Sequence, residues 1–206
     1  SYFELFKSHK QLGREEEQKA DLKAGRRILR EVMEDYSDPK YAPRVAYLLG
    51  QFAQELQQWD EAVASYELII RRHPDHSLAA DAQHKMGQCH EKAGDFDRAL
   101  EAYVTLAATY PNSPLIASAM IRISDYFYKN ERFDVAAQVG EKFREKFKGH
   151  EHAARMAFRA AMCYYKMEDY LDAAESYDQF VKTFPDDRLT PDAIFWSGES
   201  YRLGKK

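Results

Sequence analysis

Residues 48–74 read LLGQFAQELQQWDEAVASYELIIRRHP. Within them Trp59, Ala62, Tyr66 and Ile69 stand at i, i+3, i+7 and i+10, one stripe of an α-helix. Pro74 ends that helix, because proline cannot continue it. A second apolar segment precedes the stripe and carries a small residue, Gly50, that lets a neighbouring helix approach closely. The stretch is therefore two helices joined by a short polar turn.

The arrangement recurs along the chain. Gly13, Gly50, Gly87, Ser124, Ala161 and Gly198 are 37 residues apart at every step. Leu22, Trp59, Phe96, Phe133 and Tyr170 keep the same interval, as do Gly25, Ala62, Ala99, Ala136 and Ala173. A third column runs Leu29, Tyr66, Tyr103, Gly140 and Tyr177, and a loop column runs Ser37, Pro74, Pro111, Lys148 and Pro185. A fixed period of this length marks a repeat array, in which each unit buries its apolar face on the next. The spacing predicts all-α architecture in eleven helices. The first pair is expected at 2–14 and 18–36, then 41–56 with 59–73, 77–93 with 96–110, 114–130 with 133–147, 151–167 with 170–184, and a lone helix at 190–203.

Composition agrees. The 206 residues include 14 Tyr, 12 Phe and 2 Trp, more aromatic surface than a disordered chain carries. The net charge of −4 argues against nucleic acid as a partner, which needs a basic face. No apolar run reaches the roughly 18 residues of a membrane span. The opening Ser1-Tyr2-Phe3 has no initiator Met and reads as a fragment or processed chain, so the missing signal peptide carries no weight on compartment. Cys89 and Cys163 share a column two repeats apart and are expected as free, buried thiols.

The residues LGQF…QQWDEAVASYELIIRRHP and MGQCHEKAGDFDRALEAYVTLAATYP resemble the tetratricopeptide repeat, and the resemblance covers about residues 6–206. It implies a right-handed superhelical solenoid of helix-turn-helix hairpins, five repeats plus one extra helix. It would form one domain over 1–206, with repeats at about 6–42, 43–79, 80–116, 117–153 and 154–190 and a half repeat at 191–206. The family's usual period is about 34 residues. The longer form here, with loops HPDHS, YPNSP and FPDD and the segment DAIFWSGESYRLGKK, is similar to bacterial cell-envelope proteins. These are of the outer-membrane-assembly lipoprotein and Tol–Pal-associated cell-division coordinator types. That likeness favours a periplasmic or envelope location and leaves a cytoplasmic one open. The first repeat departs from the pattern at Leu22, Gly25 and Ser37 and reads as a cap. The fourth departs at Gly140 and Lys148 and reads as a soft point or bend.

The resemblance also implies a non-catalytic scaffold that binds proteins or peptides in a groove lined by the first helices of the hairpins. In the N-terminal half that lining is polar: Tyr47, Gln51, Gln54, Asp81, His84 and Gln88. These do not match the family's Lys/Asn carboxylate clamp. In the C-terminal half it collects Ile121, Tyr128, Phe158, Met162, Tyr165 and Phe195, rimmed by Lys129, Arg155, Lys166 and Arg202. An aromatic lining with a cationic rim suits a ligand with apolar anchors and acidic flanks. The competing reading makes these side chains ordinary core. The apolar last helix, with Ile194, Phe195, Trp196, Tyr201 and Leu203, offers an alternative role in self-association by end-to-end stacking. No cofactor, metal site or catalytic motif is expected. His84 and His90 do not share a helix face, and His73, His76, His150 and His152 sit in loops.

Overall fold

The computed structural model describes residue 8, residues 15–35 and residues 41–205. Among the described residues the chain forms ten α-helices and no strand. They are α1 Glu15–Asp35, α2 Ala42–Glu55, α3 Trp59–Arg72, α4 Ala79–Ala93, α5 Phe96–Thr109, α6 Ile116–Lys129, α7 Phe133–Lys146, α8 Ala153–Lys166, α9 Tyr170–Thr183 and α10 Thr190–Gly204. From residue 41 onward each boundary falls within two residues of the expected one. The expected helix over 2–14 lies, but for residue 8, outside the described residues.

The chain divides into two compact units, Ser1–Leu115 and Ile116–Lys206. The first contains α1 to α5 and the second α6 to α10. Four hairpins are complete: α2–α3 and α4–α5 in the first unit, α6–α7 and α8–α9 in the second. Helices α1 and α10 stand outside these four hairpins.

The turn inside each hairpin has one form. Gln57, Gly94, Glu131 and Glu168 occupy one column of the repeat, and all four have positive φ, between 57° and 83°. The amide after each returns to a carbonyl five residues earlier: Gln58 to Ala53, Asp95 to His90, Arg132 to Phe127 and Asp169 to Tyr164, at 2.8–3.1 Å. This closes the first helix with a left-handed residue and satisfies its last carbonyls. Only Gly94 adopts that conformation without steric cost.

The loop between hairpins has a second shared device. His76, Ser113, His150 and Asp187 form another column. Each side chain accepts the backbone N–H two residues on, at 3.1, 3.2, 3.1 and 2.8 Å respectively. A short polar side chain thus stands in for the missing backbone partner as the chain enters the next helix.

Inside a hairpin the small and aromatic columns meet. The rings of Tyr66 and Tyr103 lie over Gly50 and Gly87, where an added Cβ would be 2.6 Å from the ring carbons. Tyr66, Ile69, Tyr103, Leu106, Tyr177 and Phe180 are all at most 1% exposed. Each such burial contributes roughly 1.5–3 kcal/mol. Phe96 departs from its column: at the start of α5 it is 57% exposed and lies outside the buried stripe.

The fourth repeat carries no bend within its second helix. Helix α7 runs unbroken for 14 residues, as long as α3, α5 and α9. At Gly140 the next helix comes close instead: an added Cβ would sit 2.8 Å from the Met156 carbonyl oxygen and 3.0 Å from Ala160 Cβ. The glycine that replaces the column's tyrosine is what admits α8.

Candidate protein-binding face

All ten candidate groove residues lie on α6, α8 and α10, the first helices of the second unit. Side-chain contacts one repeat apart hold these helices together. Arg159 pairs with Asp125, 34 positions earlier, and the Tyr128 hydroxyl donates to Met162 Sδ over the same interval, at 3.8 Å. In the first unit the Tyr47 hydroxyl donates to Asp81, again 34 positions on. Second helices use 35: Arg26 with Glu61 at 2.9 Å, and Ser176 donating to Glu141 at 2.9 Å. These intervals fall about one helical turn or less short of the 37-residue period, so successive hairpins meet slightly out of register.

The apolar members are neither core nor free. Phe158 sets its edge against Tyr177 and Phe180, with ring centroids 5.4 and 5.7 Å away. Tyr165 stands between Tyr170 and Trp196, at 5.5 and 5.1 Å. Tyr128 rests on Phe133 at 5.5 Å. Ile121 packs against the cluster of Ala117, Phe143, Ala153 and Met156. Ile121, Tyr128, Phe158, Met162 and Tyr165 are all half-buried, so each has one side fixed by the core and another facing solvent. Phe195 is 60% exposed and touches Trp196, with centroids 5.2 Å apart.

The cations divide into two sets. Arg202 is held by Glu199, with Nε and Nη2 at 3.0 and 2.7 Å from one carboxylate oxygen. That ion pair keeps the Glu199 carboxyl below its ordinary pKa. Lys166 places its ammonium 5.4 Å from the Phe133 ring centroid. Lys129 and Arg155 are exposed and enter no ion pair among the described residues. Sequence reasoning missed Arg159. Its guanidinium carbon lies 5.3 Å from the Tyr128 ring centroid while the group pairs with Asp125. Such stacking is worth roughly 0.5–2 kcal/mol and fixes the tyrosine face. The interval from Asp125 to Arg159 is the only sequence signal, and it is visible only once the 34-residue offset is known.

Other expected residues fall elsewhere. His84, placed on the polar groove, is 6% exposed; its ring lies 5.6 Å from that of Tyr103, the same contact that Phe158 makes with Tyr177, but more deeply covered. Cys89 and Cys163 are free and buried, and burial pushes both thiols up to about 11. His150 and His152 have ring centroids 5.4 Å apart. On the second-helix side of the same unit an open hollow of about 590 Å³ is lined by residues that include Glu141, Arg144, Ser176, Asp178 and Tyr201. Three of its charged groups are engaged: Arg144 pairs with Glu141, and Ser197 and Tyr201 donate to Asp178 at 2.6 and 2.9 Å.

Tandem hairpins that recur with one period, closed by a ring on a small residue or, at Gly140, by the next helix, define a helical-repeat solenoid. Three family models described as Tetratricopeptide repeat match residues 41–110, 84–151 and 156–187. The chain belongs to the tetratricopeptide repeat family. Comparison with curated proteins gave no match. Among solved structures it is similar to a tetratricopeptide repeat protein from Parabacteroides merdae, at 16% identity and TM-score 0.58, covering 99% of this chain and 75% of that one. It is similar to the C-terminal part of a repeat protein from Cytophaga hutchinsonii, at 13% identity and TM-score 0.59, covering 99% and 70%. A third is YrrB, described as a TPR protein with an unusual peptide-binding site, at 18% identity and TM-score 0.55, covering 94% and 90%. At these identities the likeness establishes the fold alone. No described helix is long and apolar enough to cross a membrane.

Proposed function

We propose that this chain is a non-catalytic scaffold that holds a peptide or partner segment on the face of α6, α8 and α10, in a bacterial cell-envelope complex. One observation carries the binding reading. Tyr128, Phe158 and Tyr165 are locked from beneath by ring contacts and open above, beside the uncommitted cations Lys129 and Arg155. Anchors that are already ordered lose little entropy when a ligand covers them. The peptide-binding site described for YrrB supports the class of ligand. The envelope setting rests on the long repeat form, and fractionation of cells producing the native protein tests it; recovery in the cytosol would overturn it.

The binding test is an affinity capture from native lysate with wild type and with a Tyr128→Ala/Phe158→Ala/Tyr165→Ala variant. A partner held by wild type alone is expected. Those side chains also touch the core, so Lys129→Glu/Arg155→Glu serves as a second variant, since both residues are exposed. It should weaken capture of an acidic partner without moving the thermal melt. Equal capture by wild type and both variants would sink the reading. The alternative role, stacking through terminal helices, is favoured by the exposed Ile194 and Phe195 on α10. A monomer in concentration-dependent light scattering would remove it.

A further inference from the structure

The loops after α3 and α5, 73–78 and 110–115, line one open hollow of about 700 Å³. Every residue that lines it belongs to the first unit. The Tyr110 hydroxyl donates to the Pro74 carbonyl at 3.2 Å and ties the two loops together. Tyr110 also packs on the core cluster that holds Tyr66 and Ile69, so its ring is a fixed wall. Pro74, Pro111, Pro114 and Leu115 add further apolar lining. The prolines hold φ fixed, and the side chains of His76 and Ser113 brace the loops from within. The hollow has the size of a site for a small ligand or a few residues of a peptide, not for a whole helix.

Most backbone donors of these loops are absent or spent. Pro74, Pro111 and Pro114 have no N–H. The amides of His76 and Ser113 donate to the carbonyls of His73 and Tyr110. Those of Leu78 and Leu115 donate to the side chains of His76 and Ser113. An incoming β-strand would therefore find no ladder to extend. A polyproline segment needs none, because its prolines bring no N–H to satisfy and its conformation holds no internal hydrogen bond. Its carbonyls require side-chain donors, and the Ser77 hydroxyl and the Asn112 amide stand in the lining.

Charge narrows the ligand further. Asp75 and Asp81 line the hollow, and neither lysine nor arginine is among the described residues that do. Asp81 already accepts the Tyr47 hydroxyl. Asp75 is exposed and enters no ion pair among the described residues. We infer that this hollow binds an extended, proline-rich segment of a partner protein, with an arginine or lysine of that segment set against Asp75. The ligand's prolines lie on the Tyr110 ring and the loop prolines. The inference does not rest on the face of α6, α8 and α10, which belongs to the other unit and carries a cationic rim.

The test titrates the full chain into a fluorescently labelled peptide of about ten residues, proline throughout but for one central arginine, and follows anisotropy. Saturable binding with a Kd on the order of 100 μM is expected, weak because the hollow is small. Asp75→Lys should weaken it about tenfold and Asp75→Asn about threefold. Neither should move the thermal melt, because the side chain is exposed. A peptide with glycine and serine in place of its prolines should bind about tenfold more weakly than the proline peptide. Lys129→Glu/Arg155→Glu should leave this titration unchanged. Absence of saturation at millimolar peptide would overturn the inference, as would equal binding by Asp75→Lys. Equal binding of the glycine–serine peptide would also overturn it, since charge alone would then hold the ligand. So would loss of binding in Lys129→Glu/Arg155→Glu, which would put the peptide on the other face.

Discussion

The hairpin of α2 and α3 and the hairpin of α6 and α7 solve one packing problem in opposite ways. In the first, the small residue is Gly50 and the large one is Tyr66, whose ring fills the space the glycine leaves. In the second, the large column holds Gly140, the small column holds Ser124, and the backbone of α8 moves against the glycine. The comparison shows that the repeat preserves filled volume and not a residue pattern. Interiors pack to crystal-like density, so a lost ring is replaced by whatever element can move in.

The largest expected effect separates the two hairpins directly. Tyr66→Ala removes a side chain that is 0% exposed and donates to Gln54 at 2.6 Å. It should cost about 3–5 kcal/mol in urea denaturation, because α2 and α3 cannot close the hole. A loss under about 1 kcal/mol would mean that the ring is not what seals the hairpin. Gly140→Ala should come next, at about 2 kcal/mol, since the new methyl meets a backbone carbonyl that cannot rotate away. An ordinary mid-helix Gly→Ala change gains about 1 kcal/mol, so the sign alone decides. Gly50→Ala should fall between, near 1 kcal/mol. Its methyl meets a ring, and Ala161 shares a core cluster with Tyr177 in the equivalent columns.

These differences mark what the amino-acid sequence could reveal. The period of 37 was enough to place nine helices of the two units to within two residues, because proline, the small column and the apolar stripe each recur in phase. Gly94 announces a left-handed turn, whereas Gln57, Glu131 and Glu168 adopt the same conformation without any compositional sign. Gly140 reads as a gap because the approach of α8 depends on spacing between hairpins, which periodicity does not encode. The candidate face was legible as a set of residues. Its half-burial was not, because that depends on ring contacts such as Tyr165 with Trp196 across a repeat boundary.

The turns extend the comparison to smaller energies. Glu168→Gly relieves a left-handed glutamate and should raise stability by about 1 kcal/mol, while Gly94→Ala should lower it by a similar amount. Matching melting shifts of opposite sign would confirm that the four turns are one device; a destabilising Glu168→Gly would break it. The loop column should respond on a similar scale. His76→Ala and His150→Ala each remove an acceptor for a backbone N–H and should cost about 0.5–1.5 kcal/mol. His76→Asp, which copies the Asp187 loop, should cost less than His76→Ala in the same denaturation series.

The smallest effect concerns the cysteines, which occupy one column in both units. Burial raises the Cys89 and Cys163 thiols to about 11, so at neutral pH both are protonated in the folded chain. A thiol reagent at pH 7.5 should therefore label neither until the chain is unfolded, when both react; the thiolate is the nucleophile. The same shift makes stability depend on alkali. Below the unfolded value of about 8.5 both states hold the proton and the contribution is intact. Between there and 11 the unfolded chain ionises while the folded one does not, so stability falls across that interval. Cys89→Ala/Cys163→Ala should flatten that alkaline slope, leaving what the raised tyrosines contribute, Tyr47, Tyr66 and Tyr177 among them. Rapid labelling of either native thiol at pH 7.5 would show that its hairpin opens well below the global unfolding energy, and would place the weaker packing in the unit that carries it.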